Sequence, residues 1–268
     1  MNQRPHMLMR CDGGPRLGMG HGVRCLALAA ALRQAGTACT FATWDHADGI
    51  AGRIRQAGFE VVAVGKPVDS DQPLGPGDRA ATLQAARHCA AGVVLVDHYQ
   101  ADAAYLAGLA DADCRVAVID DLADRDLASA DWVLNQNPGA FGLDYRVRDD
   151  TVVLRGLDYA LLRPEFAQAR GRMHRTHGTE DANVLITLGG SDVAAQTAAL
   201  VDSLDALPRP LAVRCILAGT PELARVEQAT ARSPHAGTII HDVPGMARQM
   251  ARAGVSVRAV GSTCVEMG

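Results

Sequence analysis

Gly92-Val-Val-Leu-Val-Asp97-His98 and, further along, Arg115-Val-Ala-Val-Ile-Asp120-Asp121 decide the fold class. Each run stays apolar until a carboxylate ends it. A strand with one wet face alternates apolar and polar residues. A strand with no such alternation is covered on both faces, as in a parallel sheet between layers of helix. Working outward, β-rich runs recur at Met7–Cys11, Ala38–Thr43, Glu60–Val64 and Asp131–Leu134. Ala/Leu-rich helical windows lie between these runs at Val23–Gln34, Gly49–Ala57, Asp78–Ala91 and Ala103–Ala110. Gly36, Gly58 and Gly92 follow three of the helices, where a left-handed cap is expected. This alternation predicts an α/β, doubly wound domain.

The alternation breaks between Ala167 and Ala182, a polar stretch rich in Arg and His that carries Gly171 and Gly178. Its His174 and His177 read as solvated linker residues and not as metal ligands. A second βα series then begins, with a strand at Asn183–Leu188, a helix at Ala194–Leu204 and a strand at Ala212–Leu217. The expected division is an N-terminal Rossmann-like domain over 1–166, a linker over 167–181 and a C-terminal nucleotide-binding domain over 182–268. Two Rossmann-like halves around a cleft are the GT-B architecture of sugar-nucleotide enzymes. The last helix of the second half would open only at Ser262, so that domain is expected to be truncated.

Composition closes off other classes. The 268 residues carry a formal charge of −4 and no basic block, which argues against a nucleic-acid partner. Seven cysteines with no CxxC pair support neither a zinc site nor a redox dithiol. Met1 to Arg10 holds no apolar stretch of signal-peptide length, and no run reaches the roughly 18 apolar residues that a membrane span requires. A cytoplasmic monomer with no membrane partner is expected.

The first βα turn, from Arg10-Cys-Asp12-Gly-Gly to Gly18-Met-Gly20-His21-Gly-Val-Arg24, is richest in chemistry. Its glycines allow a ligand close to the backbone, and the helix that follows offers free N–H groups and a positive dipole end. It is not a dinucleotide fingerprint: Val23 stands where GxGxxG needs its third glycine. His21 falls in the first helical turn, where the dipole favours a neutral ring able to accept a proton. A capping or packing histidine is the plainer reading. The setting at the carboxyl edge of a parallel sheet, where catalytic groups collect, favours a base.

Thr187-Leu-Gly189-Gly190-Ser191-Asp192 offers amides and a hydroxyl to a phosphate, or is a tight turn with a helix cap. Gly261-Ser262-Thr263-Cys-Val-Glu266 suits phosphate and ribose, and is equally a capping box. Asp97-His98-Tyr99 and Asp120-Asp121 face one sheet edge, where either could position a sugar or a water. Asp111-Ala-Asp113 has the spacing of a manganese-binding DxD but lies just before a strand, at the wrong edge.

Together, in chain order, these motifs resemble the UDP-2,4-diacetamido-2,4,6-trideoxy-β-L-altropyranose hydrolases of pseudaminic acid biosynthesis. The resemblance also includes Leu134-Asn-Gln-Asn137 and Tyr159-Ala-Leu-Leu-Arg163-Pro-Glu-Phe166, and it runs over essentially the whole chain. It implies a GT-B-like two-domain enzyme that takes a UDP-sugar and needs no metal or cofactor. By the resemblance His21 is the base that activates water, and Tyr99 lies near the sugar. Asp12, Gly18, Gly20, Arg24, Asp97, Asp121 and Arg163 are then assigned to the substrate. Gly189, Gly190 and Ser191, with Ser262, Thr263 and Glu266, are assigned to the diphosphate and ribose. Where the family usually has a Gly-rich turn with an aromatic residue before the Glu, this chain has Arg258-Ala-Val-Gly-Ser-Thr-Cys-Val265. The rival readings are a GT-B glycosyltransferase, with an acceptor hydroxyl in place of water, and a UDP-sugar binder without turnover.

Overall fold

The computed structural model describes residues 5–14, 17–47, 49–65, 72–112, 114–170, 183–188, 194–217, 223–241 and 245–258. The chain forms two compact units, Met1–Leu162 and Arg163–Gly268.

The first unit is built on seven parallel strands: β1 (His6–Cys11), β2 (Ala38–Thr43), β3 (Glu60–Ala63), β4 (Val93–Asp97), β5 (Arg115–Ile119), β6 (Trp132–Asn135) and β7 (Val152–Arg155). Their order is β3-β2-β1-β4-β5-β6-β7. Successive residues of one strand enter different cores. Leu8, Val94, Val96, Val116 and Val118 join one apolar cluster, while Met9, Cys11, Leu95, Ala117 and Ile119 join another. Period-2 geometry sends alternate side chains to opposite faces, so an unbroken apolar run is what burial on both faces requires.

The helices are α1 (Gly20–Gln34), α2 (Ala51–Gln56), α3 (Pro76–His88) and α4 (Ala103–Ala110). Pro76 opens α3, and Asp102 caps α4 by accepting the Tyr105 N–H at 2.7 Å. Gly36 and Gly58 take positive φ after α1 and α2, as expected. Gly92 does not. At the end of α3 the left-handed residue is Ala90, at φ 51°, because that helix stops earlier than its sequence pattern suggests.

In the second unit β8 (Asn183–Thr187), β9 (Ala212–Leu217), β10 (Ala236–His241) and β11 (Val255–Arg258) form a parallel sheet of order β10-β9-β8-β11. Helices α5 (Pro164–Arg170), α6 (Ala194–Leu204), α7 (Leu223–Arg232) and α8 (Met246–Ala251) accompany it. Phe166 of α5 is buried with Leu185, Ala247 and Met250. That contact places residues 163–166 with the second unit, whereas the sequence pattern had put them at the end of the first.

Candidate active site

In the first unit the strand order reverses direction beside β1, between β1 and β4. Ligands bind doubly wound sheets outside the carboxyl ends of strands at such a switch point. Cys11 lies opposite Asp97 in the β1–β4 register, so the loop after β1 and the end of β4 share that position.

The loop turns at Gly18, at φ 73°, where Gly14 N–H donates to Gly18 O at 3.1 Å. Helix α1 then opens on Gly20, with Met19 at the cap position and no side-chain cap. His21 is therefore the second helical residue, beside uncapped amides. Gly13 and Gly22 are glycines for packing. A Cβ would lie 3.0 Å from Ile50 Cβ at position 13 and 2.3 Å from Ile50 Cγ1 at position 22. Ile50 N–H also donates to Gly13 O at 3.1 Å, which fastens the loop after β2 to the loop that leads into α1.

His21 Nδ1 lies 2.6 Å from Asp97 Oδ1. Asp97 is fully buried, and it also accepts Arg24 Nη2 on Oδ1 and Arg24 Nε on Oδ2, each at 2.6 Å. Burial works to raise the Asp97 carboxyl. The Arg24 hydrogen bonds and charge, with His21 beside them, outweigh it and hold the group well below the ordinary carboxylate range. An ionised carboxylate only accepts hydrogen bonds. The proton on the neutral imidazole is thus assigned to Nδ1, leaving a lone pair on Nε2. No described residue hydrogen-bonds to Nε2. The 3.3 Å between Arg24 Nη2 and His21 Nδ1 is then the spacing of two donors that share one oxygen.

Arg24 continues to Asp121 Oδ2 at 2.7 Å. Asp121 also accepts the Tyr99 hydroxyl at 3.0 Å and Asn137 Nδ2 at 2.8 Å. The Tyr99 ring meets His21 edge-on, with centroids 4.6 Å apart, while almost half of the residue stays exposed. Burial of the rest, with the Asp121 charge, pushes the Tyr99 phenol up to about 12.

A second buried network lies alongside. Arg10 pairs with Asp12 at 2.9 Å and with Asp78 at 2.8 Å, and Tyr105 donates to Asp78 at 2.8 Å. Asp12 also accepts Thr43 Oγ1 and Trp44 N–H. Burial works against its charge, but the His98 hydrogen bond and the Arg10 charge hold it well below the usual range. His98 accepts Gln100 N–H on Nδ1 at 3.2 Å and so donates from Nε2 to Asp12 at 3.1 Å. Both its nitrogens are engaged, which leaves His21 as the ring with an open acceptor. Asp12, Leu17, His21, His98, Tyr99 and Gln100 line a cavity of about 30 Å³.

The structure therefore gathers His21, Asp97, Arg24, Asp121 and Tyr99, with Asp12 adjacent. Asp12, Arg24 and Asp97, read as substrate ligands in the sequence, are buried and engaged with protein partners. Gly18 shapes the turn and Gly20 starts the helix. Arg163 pairs with Glu165 at 3.0 Å and lies over the Phe166 ring in the second unit. Gly189, Gly190, Ser191, Ser262, Thr263 and Glu266 lie outside the described residues. The strands that precede them in sequence, β8 and β11, are neighbours in the second sheet. Asp111 ends α4 just ahead of β5, at the edge opposite His21, and Asp113 is outside the described residues. Among the described residues no group of three or more His, Cys, Asp and Glu could hold a metal ion, and no helix is long and apolar enough to cross a membrane. Sequence reasoning missed Arg10 and Asp78. The one signal for Arg10 was a cation inside the apolar run Met7–Cys11.

No family model matches the chain, and no curated protein matches it in sequence. Solved structures do. MurG of Acinetobacter baumannii aligns with a TM-score of 0.62 at 16% identity, over 97% of this chain and 74% of that one. A UDP-glucosyltransferase from Polygonum tinctorium aligns at 0.59 and 13%, over 99% and 78%. The UDP-GlcNAc 2-epimerase from Neisseria meningitidis, solved with UDP-GlcNAc, aligns at 0.53 and 10%, over 96% and 77%. At these identities the likeness is one of fold. The chain has the GT-B-like fold of two Rossmann-like units.

Proposed function

We propose that this chain breaks the anomeric C–O bond of a UDP-sugar, with His21 Nε2 as the base for the attacking oxygen. The observation that carries the reading is the buried Asp97 carboxylate 2.6 Å from His21 Nδ1, which fixes the tautomer with Nε2 free at the switch point. The nucleophile's proton passes to Nε2, and its oxygen forms the new bond to C1. The old C1–O bond breaks and UDP leaves with the electron pair. Asp97 stabilises the imidazolium formed, and base catalysis of this kind is worth roughly 10²–10⁴-fold.

We take water as the nucleophile and UDP-2,4-diacetamido-2,4,6-trideoxy-β-L-altropyranose, or a close relative, as the substrate. The motif order supports this, and the cavity of about 30 Å³ beside His21 is large enough for one water. Gly189, Gly190, Ser191, Ser262, Thr263 and Glu266 are proposed for the nucleotide. A second reading is a glycosyltransferase, in which an acceptor hydroxyl gives its proton to the same nitrogen. The fold shared with a UDP-glucosyltransferase favours it. Incubation with UDP-sugars, with and without sugar or lipid acceptors, separates the two. UDP release without acceptor supports hydrolysis, and release that needs an acceptor supports transfer. UDP binding with no turnover in either mixture would remove the catalytic reading.

A further inference from the structure

Arg125 was not singled out by its sequence, and it touches none of the residues assigned above to the base or its carboxylates. Its Nη1 lies 2.9 Å from His98 O, 3.1 Å from Tyr99 O and 2.8 Å from Ala101 O. Two N–H bonds serve three carbonyls, so one is shared. Nη2 lies 3.0 Å from Asp120 Oδ2, a charge contact and not a directed hydrogen bond. The side chain is 11% exposed and Asp120 is 1% exposed.

Asp120 is itself fixed. Its Oδ1 accepts Leu122 N–H at 3.0 Å and Ala123 N–H at 2.7 Å, and its carbonyl accepts the Tyr145 hydroxyl at 2.8 Å. Arg125 is thus anchored at the end of β5 and reaches across to the loop at the end of β4. That loop is a turn in which Ala101 N–H donates to His98 O at 3.1 Å and Gln100 O accepts Leu74 N–H at 2.8 Å, while no backbone donor among the described residues meets the Tyr99 carbonyl. Three carbonyl dipoles converging on one point repel each other unless a cation lies between them. The same loop supplies His98, Tyr99 and Gln100, half of the residues that line the cavity beside His21.

We propose that Arg125 is a positioning residue for the reaction, gathering the carbonyls of residues 98, 99 and 101 so that Tyr99 stays edge-on to His21 and the cavity keeps its shape. The inference rests on the proposed role of His21. It differs from a general stabilising role, because its effect passes through Tyr99.

The test uses the full chain with Arg125→Met and Arg125→Lys, since a lysine ammonium can still occupy the carbonyl cluster. Arg125→Met should lower kcat for UDP release about 10- to 100-fold, the scale of a misplaced reacting group. Calorimetry with UDP should show an unchanged Kd. Arg125→Lys should recover part of the loss. Tyr99→Ala should cost activity in the wild type and add little in the Arg125→Met background. Independently of turnover, the His21 Hε1 resonance, assigned through His21→Asn, should shift as the Tyr99 ring leaves. If Arg125→Met fails to fold, Arg125→Lys is read for the same resonance and the same non-additivity. An unmoved His21 resonance, or a Tyr99→Ala effect that is fully additive, overturns the proposal while leaving His21 as the base. A wild-type protein that releases no UDP from any UDP-sugar removes the proposed function instead, and the resonance still decides what Arg125 holds.

Discussion

Replacing Asp97 by asparagine keeps the shape of the side chain and changes both its charge and its hydrogen-bonding pattern. Both Asp97 oxygens accept from Arg24, at 2.6 Å from Nη2 on Oδ1 and 2.6 Å from Nε on Oδ2. Whichever way the new amide turns, its NH₂ therefore faces an Arg24 N–H. With NH₂ at the Oδ2 position the His21 tautomer survives, but nothing relieves the clash with Nε. With NH₂ at the Oδ1 position the amide also faces His21 Nδ1, and that contact becomes favourable once the imidazole proton moves to Nε2. Each arrangement leaves one clash with Arg24, at Nε in the first and at Nη2 in the second. The second also removes the acceptor that the reaction needs, and both remove the negative charge beside the imidazolium. The expected loss in kcat is about 10³–10⁴-fold, the range for losing a correctly oriented general base.

The same substitution leaves Arg24 with one carboxylate partner, Asp121, at 2.7 Å. Breaking a buried pair from one side costs about 3–5 kcal/mol, and the surviving Asp121 contact favours the lower end. For a unit of this size each kcal/mol moves the midpoint by about 2–4 °C, so Tm should fall by about 6–12 °C. UDP release, thermal unfolding and UDP calorimetry on one preparation read all three quantities. A folded Asp97→Asn protein with kcat within about tenfold of wild type would refute the argument, because a base that depends on that carboxylate for its tautomer and for the stability of its imidazolium should not survive the loss of the charge.

His21→Asn should lower kcat by at least about 10²-fold with UDP affinity nearly unchanged, and a near wild-type kcat would take His21 out of the reaction. Hydrolysis in ¹⁸O-water should place the label in the sugar, whereas label in UDP would mean attack at phosphorus. Turnover should survive EDTA, since the DxD spacing begins with Asp111 at the edge opposite His21; loss on chelation with recovery in Mg²⁺ or Mn²⁺ would revive metal assistance. Asp12 and Asp97 hold protons less tightly folded than unfolded, so the unfolded chain takes up more protons as pH falls below about 4. The stability they contribute is complete above that pH and lost progressively below it. Denaturant titrations from pH 7 to pH 3 should show the loss, with a shallower slope for Asp12→Asn, and an identical slope would contradict the pairing.

The sheet was legible because burial on two faces writes itself into consecutive residues. The runs ending at Asp97 and Asp120 needed no partner to be read. His21 was legible for a similar reason: strand, glycines, histidine and helix start follow one another within a few residues. What connects distant segments was hidden. Arg10 and Asp78 are 68 positions apart, and Asp78 alone reads as an ordinary acid in a first helical turn. Arg24 and Asp97 were visible as charged residues near a catalytic edge, which is equally what a substrate ligand looks like. Their burial against each other turned on how α1, packed on β1 and β2, brings its first turn to the end of β4. Helix ends were legible where glycine followed, as at Gly36 and Gly58. They were not where Ala90 accepted the strained conformation.

The glycines of the first loop show how one pattern serves two purposes. In the sequence they read together as room for a ligand. In the structure Gly13 and Gly22 are needed by Ile50, and Gly18 by the positive φ of the turn. Unlike Gly13, Gly18 and Gly22, Gly20 combines an ordinary φ with empty space, nothing lying within 4 Å of where its Cβ would be. It precedes His21, among the uncapped amides that open α1. Neither steric need nor backbone strain explains a glycine there. The main chain at Gly20 is thus open beside His21. Gly13, Gly18 and Gly22 hold the loop in place while Gly20 stays bare.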